Sequence, residues 1–208
     1  MNADLLVIMA RYPTYGKVKT RLAADVGKAA ALRIYRQLLE HHRREFRETP
    51  FAVEWRYTPA RAPFRKFLCG SSLPGAMGQS RPDGRSHDNN RCVPQPTGDL
   101  GERMRKIFAE SFARGYRRVV MIGTDAPAMS QRTVRQAFRL LRRHRAVFQP
   151  TTDGGYALIG LAEWVDVFSG MPWSTDRLMA ATRRRVRCAE LPVTFDIDTG
   201  ADWRRYAG

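Results

Sequence analysis

Leu5–Met9 is an unbroken apolar run that stops at a polar loop containing Pro13 and Gly16. Such a run, ended by a turn signal, predicts a buried strand. The period then changes. Leu32, Tyr35, Leu39 and Phe46 recur at helical spacing beside Ile34 and Leu38, predicting a helix from about Val26 to Phe46. Phe51–Tyr57 predicts a second strand and Phe64–Leu68 a short helix. Periodicity is then lost. Residues 70–97 are rich in Gly, Pro, Ser, Asn and Asp and predict a long, mobile surface loop.

Beyond that loop the alternation resumes. Asp99 with Glu102 forms a capping-box-like start for a helix buried through Met104, Ile107, Phe108 and Phe112. Arg118–Ile122 predicts a strand ending in Gly123-Thr124-Asp125-Ala126-Pro127. Ser130 caps a helix with the face Val134, Ala137, Phe138 and Leu141. Ala146–Gln149 and Tyr156–Leu161 predict strands on either side of Thr151–Gly155. Ser174 is expected to start a helix to about Arg185. Strand-like Cys188–Val193 follows, then a last helical turn with Trp203. Strands alternating with helices, with no internal repeat, predict a single domain over 1–208 with a three-layer α/β architecture and a mostly parallel sheet.

Composition narrows the function. The longest apolar runs fall far short of the roughly 20 residues of a membrane span. Leu5–Met9 follows Asp4 without a basic flank and does not read as a signal peptide. Cys69, Cys92 and Cys188 are far apart, which argues against a zinc site or a disulfide framework and for a reducing cytoplasm. The net charge of +16 favours acidic or phosphorylated partners. Only five of the 36 basic residues are Lys, and the Arg residues are spread through most segments, so general Arg usage accounts for the total equally well.

The loop after the first strand carries the first chemical signal. Arg11, Lys17, Lys19 and Arg21 supply four cations within eleven residues, and Gly16 permits close backbone approach. Phosphate binding suits such a loop. It is not a Walker A loop, because Val18 follows Gly16-Lys17 and the upstream glycine is missing. In an open parallel sheet, ligands collect at the carboxyl ends of strands near a switch in strand order. Asp125 stands at one such end, so a carboxylate is expected to face the basic loop. Magnesium suits that pairing, being held by one or two carboxylates plus substrate phosphates. Asp198, or its near neighbour Asp196, is expected as the second carboxylate; strand alternation would send both to one face. Asp153-Gly154-Gly155-Tyr156 is a tight turn that permits approach of a sugar or acceptor, and equally a plain hairpin signal. The four histidines have no metal-ligand spacing, and no nucleophile elbow is present.

Taken in order, P-x-x-G-K-V-K-T-R-L, G-D-L-G-E-R-M, I-G-T-D-A-P, T-D-G-G-Y-x-L-I-G-L, P-W-S-T and D-I-D-T-x-x-D-W resemble a known family, over Leu5 to Trp203. It is the "transferase 1" group associated with radical-SAM/selenodomain proteins. That group is similar to GT-A-fold nucleotide-diphospho-sugar transferases and to the molybdopterin and 2-phospholactate guanylyltransferases. The resemblance implies a Rossmann-like GT-A fold. It implies that Gly16, Lys19 and Arg21 meet nucleotide phosphates, that Asp125 and Asp198 hold Mg²⁺ or Mn²⁺, and that Asp153–Tyr156 lie by the acceptor. Arg145 and Gln149 depart from the family pattern, standing where Asp and Gly are usual.

The expected function is a metal-dependent transferase with a nucleotide or nucleotide-sugar donor, of glycosyl- or nucleotidyltransferase type. Lys19, Arg21 and Asp125 are its expected catalytic residues, and the sequence does not name the acceptor. The alternative is an Arg-rich nucleic-acid-binding protein on a degenerate transferase scaffold.

Overall fold

The computed structural model describes residues 3–69, 90–173 and 175–207. Its sheet has seven strands: β1 (Asp4–Arg11), β2 (Ala52–Thr58), β3 (Asn90–Pro94), β4 (Arg118–Ile122), β5 (Ala146–Pro150), β6 (Tyr156–Leu161) and β7 (Cys188–Glu190). They lie in the order β3-β2-β1-β4-β6-β5-β7. Every described pairing is parallel except the two made by β6, which runs antiparallel to β4 and β5. Helices cover both faces: α1 (Thr20–Val26), α2 (Lys28–Glu45), α3 (Phe64–Cys69), α4 (Leu100–Ala113), α5 (Gln131–Leu140), α6 (Leu178–Arg185) and α7 (Gly200–Ala207). This is a three-layer, Rossmann-like α/β fold with a mostly parallel sheet.

The period-2 pattern of the strands builds the layers. Leu6 and Ile8 of β1 pack with Tyr35 and Leu39 of α2 and Phe138 of α5. Leu5 and Val7 point the other way, onto Ile107 and Phe108 of α4 and Met179 of α6. Side chains such as Trp55, Phe46, Phe64 and Phe108 are fully buried. Each contributes about 1.5–3 kcal/mol of apolar transfer. A smaller cluster joins Leu22 of α1, Ala31, Ile34 and Leu38 of α2, and Ile197 near the end of the chain.

The helix expected from about Val26 to Phe46 forms as α2, and a short helix that was not expected, α1, precedes it. Gly27 adopts φ 82°, ψ 154°, which breaks the helical path and separates α1 from α2. The expected loop at 70–97 is also corrected at its end, where Asn90–Pro94 pairs with β2 as a parallel edge strand. Edge pairing does not require the apolar alternation whose absence suggested a loop. Residues 70–89 of that expected mobile loop lie outside the described residues. Ser174 does too, and the helix expected there starts at Leu178. No described helix is long and apolar enough to cross a membrane.

His42 is wholly buried on α2, with Nδ1 2.8 Å from the Leu38 carbonyl oxygen and Nε2 without a hydrogen-bond partner among the described residues. Burial is the main force holding its pKa down, to about 4. The unfolded chain therefore binds a proton at this residue that the folded chain refuses between about pH 6.5 and 4. Stability is expected to fall through that window as pH is lowered, by about 3 kcal/mol in total from this group. Denaturant unfolding at stepped pH checks it: His42→Leu should flatten the slope, and an unchanged slope would assign acid sensitivity to other groups.

Candidate functional site

From β1 the chain crosses to β2 on one side, while β4 lies on the other, so the strand order switches between β1 and β4. At the carboxyl ends of these strands opens a cavity of about 700 Å³. Arg11, Lys19, Arg21, Asp125, Asp153 and Asp198 are among the residues that line it.

Lys19 is its centre. It sits just before α1 with φ 47° and ψ 50°, the one non-glycine residue at positive φ among those described. A left-handed conformation costs a side-chain-bearing residue about 1–2 kcal/mol, so the surroundings must hold it. Its ammonium lies 2.7 Å from Asp125 Oδ1 and 3.1 Å from Asp198 Oδ1, and donates to the Ile197 carbonyl oxygen at 2.7 Å. The side chain is only 6% exposed. Burial opposes the charge, but Asp125 and Asp198 more than offset it, and the Lys19 pKa lies above its ordinary value. Arg21 Nη1 is 3.8 Å from Asp198 Oδ2 with its side chain 76% exposed, a contact of small energetic worth.

The second carboxylate is positioned by burial of its neighbour. Ile197 plugs the contact between α1 and α2, its N–H donates to the Asp125 carbonyl at 3.0 Å, and its carbonyl accepts from Lys19. Asp196 and Asp198, flanking it, both line the cavity. The expected strand alternation is not the cause, since residues 195–199 form no strand. Burial, then the charge of Asp125, pushes the Asp196 carboxyl up to about 7. Asp202 turns away: its carboxylate accepts from the N–H groups of Asp198 and Thr199 and from the Thr199 hydroxyl, starting α7.

Other expected site residues divide. Arg11 lines the cavity, with Nη1 donating to the Lys17 carbonyl at 3.2 Å. Gly16 and Lys17 do not line it. Gly16, at φ 66°, forms the turn, and Lys17 is exposed behind it. Asp153, Gly155 and Tyr156 line the cavity. Asp153 accepts from the Thr151 hydroxyl at 2.5 Å and the Gly155 N–H at 3.1 Å, which fixes the turn. Burial raises the Tyr156 phenol well above its usual range. Gly154 does not line the cavity; it lets the backbone of Asp176 approach. Exposed Arg145 pairs with Glu163, and Gln149 donates to the Pro192 carbonyl at 3.1 Å.

Three contributors were not expected. The Tyr35 hydroxyl accepts from the Arg11 N–H and donates to the Arg11 carbonyl, both at 2.9 Å, fixing the end of β1. Burial pushes its pKa up to about 12. Gln95 donates to the carbonyls of Ala10 and Arg56 and accepts from Arg103 Nη1 at 2.8 Å. Arg103 itself lines the cavity. Tyr35 looked like a core residue of a helix face; Arg103 stood inside G-D-L-G-E-R-M without an assigned role. Trp173 packs against Phe168 and Tyr156 and also lines the cavity.

A Rossmann-like sheet with an acidic and basic cavity at its switch point defines the class as nucleotide-diphospho-sugar-transferase-like. The chain belongs to the family described as "Uncharacterized protein conserved in bacteria (DUF2064)", whose model matches residues 66–175. It is similar to a crystal structure from Desulfovibrio desulfuricans G20 provisionally assigned as a nucleotide-diphospho-sugar transferase, with 29% identity and a TM-score of 0.80 over 96% of this chain and 84% of that one. Rv0371c from Mycobacterium tuberculosis H37Rv, in complex with manganese, shares the fold at 15% identity and a TM-score of 0.53, over 99% of this chain and 97% of that one. CMP:2-keto-3-deoxy-manno-octonic acid synthetase in complex with CTP does so at 13% and 0.53, over 98% and 96%. No curated protein matches the chain.

Gly154 gives a direct test of the turn. It has φ 86°, and a Cβ there would stand 2.1 Å from the Asp176 carbonyl oxygen. Gly154→Ala is expected to lower stability by at least about 1 kcal/mol, through strain and displacement of the 175–178 segment. The midpoint of urea unfolding measures it, and a wild-type midpoint would mean that the segment yields freely.

Proposed function

We propose that the protein is a metal-dependent transferase that takes a nucleotide-activated donor. One observation carries this reading: Asp125 and Asp198 converge on a single cation, the Lys19 ammonium, at the strand-order switch. Two carboxylates that share one ammonium at 2.7 and 3.1 Å are spaced to share a metal ion. Both are oxygen donors, which suits Mg²⁺ or Mn²⁺. Among the described residues no three His, Cys, Asp or Glu side chains are grouped to hold a metal unaided. Magnesium commonly takes one or two carboxylates and completes its shell with substrate phosphates and water. The manganese and CTP in the two distant relatives support the same reading.

In the nucleotidyl version, an acceptor phosphate attacks the α-phosphorus of a nucleoside triphosphate and pyrophosphate leaves. In the glycosyl version, the acceptor attacks the sugar and a nucleoside diphosphate leaves. The metal, when bound, would neutralise phosphate oxygens as negative charge moves onto the leaving group. Asp125 and Asp198 would hold it, and Asp196, beside them, would orient Asp198 or a metal-bound water. Lys19 has three N–H donors and three acceptors already: Asp125, Asp198 and Ile197. It meets a phosphate only by giving one up. Arg21, largely exposed, is free to swing onto the phosphates. Asp153, Gly155 and Tyr156 form the acceptor side. Catalysis on this reading is positioning and charge stabilisation, with no protein nucleophile.

A thermal-shift screen of nucleotides and nucleotide-sugars, with and without Mg²⁺ or Mn²⁺, tests the reading, since a ligand of the folded state raises its stability by mass action. Asp125→Asn is expected to abolish metal-dependent binding while keeping the fold; binding at wild-type strength would make that carboxylate structural. Metal titrations then separate the late aspartates. Asp198→Ala should be as severe as Asp125→Ala, and Asp196→Ala mild. The assignment fails if Asp196→Ala loses the metal and Asp198→Ala keeps it.

A further inference from the structure

Two more cationic residues, Arg11 and Arg103, line the same cavity. The network of Gln95 ties them together. Arg103 donates from Nη1 to Gln95 Oε1 at 2.8 Å and from Nε to the Asp99 carbonyl at 3.1 Å. Gln95 in turn donates to the carbonyl of Ala10, the residue before Arg11. The backbone of Arg11 is clamped by Tyr35 through both its N–H and its carbonyl. Both arginines thus stand on rigid supports.

Among the described residues, neither Arg11 nor Arg103 makes an ion pair with a carboxylate. Asp125 and Asp198 are occupied by Lys19. The Asp99 carboxylate is used at the helix start, where it accepts from the Glu102 N–H at 2.8 Å. Partial burial, and then the nearby charge of Arg11, lower the Arg103 pKa. Two cationic side chains lining one cavity suit an anion that takes both.

We infer that Arg103 and Arg11 form an anion subsite that receives a phosphoryl group of a substrate bound in this cavity. Arg103 has a second Nη1 hydrogen and its Nη2 group outside the two bonds that hold it, so a forked contact to phosphate oxygens is open to it. The inference rests on the transferase reading and deepens it. The phosphoryl group is either part of the donor's polyphosphate or carried by the acceptor.

Calorimetric titrations of inorganic pyrophosphate, CTP and ribose 5-phosphate, with magnesium present, test it on wild-type protein, Arg11→Gln and Arg103→Gln. Ribose 5-phosphate is titrated into protein both free and saturated with CTP. Both variants are expected to weaken at least one probe by about tenfold, or about 1.4 kcal/mol. Loss on pyrophosphate and CTP assigns the subsite to the donor. Loss on ribose 5-phosphate alone assigns it to a phosphorylated acceptor. Arg103→Lys, which keeps the charge but not the fork, should recover only part of the affinity. The inference is overturned if both glutamine variants bind every probe within about twofold of wild type. It is overturned equally if wild-type protein binds none of the probes at millimolar concentration. Weakening by Arg103→Gln alone would also overturn it, because Arg11→Gln leaves the ties to Gln95 and Asp99 intact. The two readings fail separately: Asp125→Asn retaining metal-dependent CTP binding sinks the transferase site, whereas its losing that binding while the arginine variants keep theirs sinks only the subsite.

Discussion

The buried ammonium of Lys19 joins three parts of the chain that are distant in sequence. It bonds Asp125 beyond β4 and both Ile197 and Asp198 near the end of the chain, from a position at the end of the β1 loop. To reach them, its own backbone takes a conformation that L-residues avoid. Strain of this kind persists only where the surroundings determine it, and such residues concentrate at functional sites. Two carboxylates near one another would otherwise repel. Lys19 lets them stand together in one cavity.

The rest of the fold brings these parts within reach. Parallel pairing of β1 with β4 sets their carboxyl ends side by side, and the crossing of the chain to β2 leaves a crevice above them. Burial of Ile197 against Leu22, Ile34 and Leu38 then draws the late segment over that crevice. A hydrophobic contact thus determines where two polar residues point. Its neighbours Asp196 and Asp198 face the cavity because the residue between them is buried elsewhere.

Much of the architecture was legible from periodicity. The apolar run Leu5–Met9, the capping box at Asp99 and the helix face through Phe138 all form as the pattern dictates. Edge strand β3 was not legible, because its residues pair by backbone at the rim of the sheet and carry no apolar alternation. The short helix α1 was hidden because Leu22 is its one buried residue, too little to make an apolar period. At the site, residue types alone singled out the basic loop and the three aspartates. Spacing gave no way to separate Lys19, which points inward, from Lys17, which does not. Tyr35 and Arg103 were hidden for the opposite reason: their helical spacing is what a core face and a solvated face would also show.

Charge separates the cavity from the surface around it. The chain as a whole carries +16, yet Asp125, Asp153, Asp196 and Asp198 all line one cavity. Lys19 already satisfies two of them, and the Asp196 carboxyl is held partly neutral near pH 7 by burial and by Asp125. A polyphosphate entering alone would add negative charge beside these aspartates, and Arg21, Arg11 and Arg103 would have to offset it unaided. A divalent cation arriving with the polyphosphate removes that conflict, since it satisfies carboxylate and phosphate oxygens at once. The arginines then have only the remaining phosphate charge to meet. On the proposed reading, the aspartates and the arginines are one device: the aspartates select a phosphate that carries a metal, and the arginines orient it.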